Sequence, residues 1–97
     1  MTSFELLIKW EECNCHPARN LIPFYYDQCI SLENALDIIS MNALRQLRED
    51  GFSPALHSWS HCSDVDVFLH NIGPKKETMS FVGNNEYEAI YKAYDYI

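Results

Sequence analysis

The residues best suited to chemistry fall in two cysteine and histidine clusters: Cys13-Asn14-Cys15-His16, and His57 with His61 and Cys62. Zinc takes four thiolate or imidazole ligands, and the two clusters supply enough if the fold joins them. The spacing argues against it. Cys13 and Cys15 form a Cys-x-Cys pair rather than the usual Cys-x₂-Cys, and no second cysteine pair follows. His57 and His61 share a face only on a helix, which Pro54 and the run Ser58-Trp59-Ser60 oppose. The expected state is buried cysteines acting as small hydrophobes, with partly exposed histidines and no metal or cofactor. The stretch Ser58, Ser60, His57, His61, Cys62 and Asp64 also holds the types of a nucleophile, a base and an orienting group. Triad geometry is set by the fold, however, and no G-x-S-x-G elbow is present. No catalytic residue is assigned, and an enzyme is not expected. Asp64 and Asp66 as a magnesium site lack a second acidic motif, and with only three glycines there is no phosphate-cradling loop.

The acids carry more. Fourteen Asp and Glu stand against seven Lys and Arg, for a net charge of −7. Such a surface repels nucleic acid and anionic membrane and suits a cationic partner. Lys75-Lys76 is the only adjacent basic pair, too little for counterion release from DNA. Four of the six tyrosines lie in the last segment, where core packing explains their spacing better than base stacking. Glu33 and Asp37 are four apart on a predicted helix, with Cβ atoms about 5–6 Å apart. Asp64 and Asp66 alternate on a predicted strand, about 6.6 Å apart. Glu11-Glu12 and Glu49-Asp50 add two doublets. Phosphates along one DNA strand have a comparable separation, with an axial rise of about 3.4 Å per nucleotide. These eight acids are the candidate partner-binding residues, as stand-ins for a DNA backbone before a basic protein groove. The ordinary alternative is a solvated acidic surface that keeps a small protein soluble. Against it, like charges self-repel, and Glu33 and Asp37 have no basic residue one helical turn away.

Elements must position these groups. Thr2 and Glu5 have capping-box spacing, and Phe4, Leu7, Ile8 and Trp10-Glu11 step round a helical face, so a short helix is expected, with a strand over Phe4–Trp10 as competitor. Residues 14–20 should be irregular because Pro17 restricts His16. Leu21–Ile30 reads as a short extended piece or helical turn delivering Phe24, Tyr25 and Tyr26 to the core. Ser31–Asp50 is a helix: Ser31 caps it, Leu32, Leu36, Ile39, Ala43 and Leu47 recur at three and four, and Gly51 stops it. Pro54 keeps it from resuming. Val65–Leu69 is a strand, Gly73-Pro74 a turn, and Thr78–Val82 a second strand. Asn85 caps a final helix with Tyr87, Ile90, Tyr91 and Tyr94 on one face and Glu88–Lys92 as an i,i+4 pair. The expectation is a single α+β domain over 1–97, with helices packed on a short two- or three-stranded antiparallel sheet; an all-α domain is the alternative. The start does not read as a signal peptide, since its apolar run is only Leu6–Ile8, and no stretch is a membrane span. An intracellular site is therefore expected, with Cys13, Cys15, Cys29 and Cys62 not forming a disulfide framework.

The segments MTSFELLIKWEE, SLENALDIISMNALRQLREDG and NNEYEAIYKAYDYI span most of the 97 residues. Through them the chain resembles the small acidic phage anti-CRISPR proteins, above all the DNA-mimicking inhibitors of the type I-F Csy (Cascade) surveillance complex. The resemblance implies a protein that occupies the DNA-recognition surface formed by the Cas8f and Cas5f subunits, in place of the duplex carrying the protospacer-adjacent motif. It implies no enzymatic activity, no cofactor, no direct contact with nucleic acid or membrane, and a setting in the cytoplasm of the infected host bacterium. No residue-level motif defines that group, so the eight acids rest on charge pattern alone. An acidic immunity or antitoxin-like inhibitor of a nuclease shares the charge logic, and a small Cys/His metal-dependent enzyme is the reading from a different class.

Overall fold

Ser31 opens the longest element. A computed structural model describes residues 2–13, 16–58, 65–71 and 78–96, and in it the Ser31 hydroxyl accepts the Asn34 N–H at 3.1 Å. The helix that follows, α4 (Leu32–Glu49), buries Leu36, Ile39, Ala43 and Leu47, as its spacing predicts, and Ala35 besides, while Leu32 is half-buried. Gly51 ends it at φ 95°, a left-handed conformation in which a Cβ is unfavourable. Three elements precede α4 in the chain: α1 (Ser3–Cys13), α2 (His16–Arg19) and α3 (Ile22–Tyr26). After it come β1 (Phe52–Ser58), β2 (Val65–Asn71), β3 (Thr78–Gly83) and α5 (Glu86–Tyr96).

The helical reading of the start holds over its strand competitor. The Thr2 hydroxyl accepts the Glu5 N–H at 3.2 Å and donates to the Glu5 carboxylate at 3.0 Å. The buried face is not the expected one: Leu6, Leu7 and Trp10 are buried, whereas Phe4 is 49% exposed. Trp10 explains the rotation. Its ring sits edge-on to Tyr91 at 4.9 Å and tilted against Tyr94 at 5.5 Å, which turns α1 towards α5.

Residues 16–19 are helical, which corrects the expected irregular stretch. Pro17 falls in the first turn of α2, where no intrahelical N–H is needed. Its carbonyl accepts the Asn42 side-chain amide at 3.3 Å, tying α2 to α4. Of the two readings of the next segment, the helical turn forms, as α3. Of its aromatics it delivers only Tyr25, half-buried against the core; Phe24 and Tyr26 are 52% and 49% exposed, and Ile22 is buried.

The strands make one antiparallel sheet in the order β1-β2-β3, and the fold is α+β. Sequence reading placed β2 and β3 but no strand over 52–58, where Pro54 and the lack of β-branched residues speak against one. Proline is tolerated because β1 is an edge strand, with one side unpaired among the described residues. Val67 and Leu69 are buried on the inner face, with Leu56 and Phe81 opposite Val67 and Pro54 and Met79 opposite Leu69. Onto this face pack α5, against β3 and β2, and α4, against β1. The β3–α5 junction is tight: a Cβ on Gly83 would sit 2.5 Å from the Ala89 backbone nitrogen. Beyond it, the Asn85 side chain accepts the Glu88 N–H at 2.9 Å, and Glu88 pairs with Lys92 at 3.4 Å. The turn expected at Gly73-Pro74 lies outside the described residues. Among the described residues, no helix is long and apolar enough to cross a membrane.

Candidate acidic interface

Two helices distant in sequence bring an acidic group together. Glu33 and Asp37 are exposed on the first two turns of α4, and Glu86 is exposed in the first turn of α5. Between them stands Tyr87, half-buried, whose hydroxyl donates to an Asp37 carboxylate oxygen. That hydrogen bond holds the Tyr87 phenol well above its ordinary pKa of 10.0, with burial next and then the charges of Asp37, Glu33 and Glu86. Three carboxylates therefore share one neighbourhood round a single phenol. Among the described residues the ion pairs are Lys9–Glu12 at 3.8 Å and Lys92–Glu88 at 3.4 Å. Glu33, Asp37 and Glu86 have no cation within that reach among those residues. Glu88, two residues on in the same turn, is different: it is buried, accepts the Asn84 N–H at 3.3 Å and serves the helix start.

Tyr87 also separates two depressions. One, of about 200 Å³, lies between α4, α5 and β1 and includes Asp37, Ser40, Met41, Leu56 and Glu86 in its lining. The other, of about 270 Å³, includes Ser3, Leu32, Glu33 and Asn85.

The remaining candidate acids lie elsewhere. Glu11 and Glu12 are exposed on the last turn of α1. Glu11 accepts the Tyr26 hydroxyl at 2.7 Å, which raises that phenol's pKa above 10.0, chiefly through the hydrogen bond. Glu49 and Asp50 sit at the far end of α4, where Asp50 accepts the Gln46 side-chain amide at 3.2 Å. Sixteen residues separate Glu33 from Glu49, about 24 Å along the axis and about 160° round it. Asp66 is half-buried on the outer face of the sheet, directly opposite His57, whose ring lies 6.3 Å from Phe68. Asp64 lies outside the described residues. The eight acids thus do not form one row. The structure joins Glu33 to Asp37 and adds Glu86, which sequence reading missed; its only signal was its place beside the Asn85 cap.

The cysteine and histidine clusters are described only in part. Cys15, His61 and Cys62 and the His16 side chain lie outside the described residues, as do Ser60 and the Ser58 side chain. Cys13 and Cys29 are exposed, which corrects the expectation of buried cysteines, and the Cys13 thiol donates to the Trp10 carbonyl at 3.2 Å. Among the described residues, no group of three or more His, Cys, Asp or Glu could hold a metal ion. The chain matches no protein-family model, no curated protein and no solved structure.

Proposed function

We propose that the protein is an anti-CRISPR inhibitor that binds the DNA-recognition surface of Cas8f and Cas5f in the type I-F surveillance complex as a DNA mimic, and so blocks target DNA binding. The observation that carries this reading is the convergence of Glu33, Asp37 and Glu86 round Tyr87 with no compensating cation among the described residues. The Asp37 carboxylate, held in place by the Tyr87 hydroxyl, and its neighbours Glu33 and Glu86 meet lysines and arginines much as phosphates do. The net charge of −7 would steer the protein towards a basic groove and speed encounter. Glu11, Glu12, Glu49 and Asp50 would extend the field at its margins. Inhibition would be stoichiometric, in the cytoplasm of the infected bacterium, with no catalysis and no cofactor.

The test is target-DNA binding by the purified surveillance complex, with and without the protein. Competition that lifts as target DNA is raised is the expected result. If the complex holds inhibitor and target DNA together, each at undiminished affinity, mimicry is wrong.

A further inference from the structure

We infer that the depression between α4, α5 and β1 is a receptor for one arginine side chain of the protein partner. The inference deepens the proposed function and rests on its reading of a basic partner surface. Three independent features meet here. The walls are apolar, and Met41 and Leu56 are 62% and 44% exposed although large and hydrophobic. The rim carries Asp37 and Glu86, without a cation among the described residues. The floor includes Ser40, a polar side chain only 4% exposed, whose Oγ has no hydrogen-bond partner among the described residues.

A buried hydroxyl left unpaired costs free energy that a bound donor would recover. Sites for drug-sized molecules run to about 300–1,000 Å³, so a depression of about 200 Å³ suits a single side chain. Arginine fits the chemistry best. Its methylene stem covers Met41 and Leu56, and its planar head presents five N–H donors in a fork. Tyr87 donates one hydrogen bond to Asp37, and a carboxylate has about four acceptor positions, so Asp37 can still receive the guanidinium. Ser40, whose Oγ has almost no accessible surface in the free protein, accepts a further N–H once the side chains over it move aside. Lysine offers a compact charge with three donors and matches this divided set of acceptors less well. An anionic ligand is excluded by Asp37 and Glu86.

The test uses the full chain, ¹⁵N-labelled, titrated with N-acetyl-arginine-N-methylamide; N-acetyl-lysine-N-methylamide and sodium chloride are the controls. Saturable amide shifts confined to Ser40, Met41, Leu56, Tyr87 and Ile90 are expected, with weaker binding of the lysine probe. Asp37→Asn keeps an acceptor for Tyr87 but removes the charge, and should weaken the arginine probe about threefold to tenfold. Met41→Arg, at an exposed position, should fill the depression from within and abolish the response. Shifts that do not saturate, that match sodium chloride or that centre on Glu11–Glu12 or Glu49–Asp50 would overturn the inference. So would equal binding of both probes, indifference to both substitutions, or cleft amides broadened by self-association without any probe. The two readings fail separately: arginine binding without competition for target DNA keeps the receptor and sinks the mimicry, and competition without arginine binding does the reverse.

Discussion

Tyr87→Phe isolates the hydrogen bond that ties α5 to Asp37 in the acidic face. Phenylalanine keeps the ring between α4 and α5 and removes only the hydroxyl that donates to Asp37. A hydrogen bond to a charged group contributes about 1.5–3 kcal/mol, less when the freed acceptor regains water. Asp37 is exposed and rehydrates, so a loss of about 1–1.5 kcal/mol is expected, read by urea unfolding at pH 7. The pH dependence is diagnostic. The folded phenol holds its proton more tightly than the ordinary value of 10.0 allows, first through the bond to Asp37. Its contribution is therefore fully present below pH 10. As pH rises above 10, the unfolded chain loses the proton first, and the contribution fades until the folded phenol also ionises. The stability gap between the parent and Tyr87→Phe should be flat from pH 6 to 9 and narrow above pH 10. Subtracting one protein from the other cancels the other tyrosines. Tyr26→Phe is the control, because that bond to Glu11 lies wholly at the surface, and it should cost markedly less. A gap that widens above pH 10, or a Tyr87→Phe variant as stable as the parent at pH 7, would refute the reasoning.

Leu36 is fully buried in α4, so Leu36→Ala should cost about 2–5 kcal/mol in chemical denaturation; a loss under about 0.5 kcal/mol would mean that the helix faces the other way. Gly83→Ala drives a Cβ to 2.5 Å from backbone that cannot yield cheaply, and should destabilise by more than about 1 kcal/mol, with amide shifts running into the start of α5. Neutralising Glu33, Asp37 and Glu86 together to Gln, Asn and Gln should slow association with the surveillance complex and flatten its salt dependence more than the same change at Glu11, Glu12 and Glu49, measured by surface plasmon resonance from 50 to 300 mM salt.

Helix α4 was legible from end to end because every signal in it is local. Ser31 supplies the cap, the apolar residues keep a helical period, and Gly51 relieves the left-handed turn, whatever the helix packs against. Asn85 and Glu88 marked α5 for the same reason. Strand β1 left no such mark. Phe52–Ser58 has little intrinsic strand preference, and its stability comes from pairing with β2 and from an edge position that excuses Pro54. The orientation of α1 was equally non-local: Phe4, Leu6, Leu7 and Ile8 are all apolar, and docking of Trp10 against Tyr91 and Tyr94 decides which of them is buried. The candidate site divides along the same line. Glu33 and Asp37 are neighbours by helix geometry alone and could be paired on paper. Glu86 joins them only because α5 folds back across the sheet onto α4, fifty residues on, and sets Tyr87 against Asp37. Short-range hydrogen bonds and periodicity are written in the order of residues, whereas desolvation and the summed field of several charges depend on which surfaces meet.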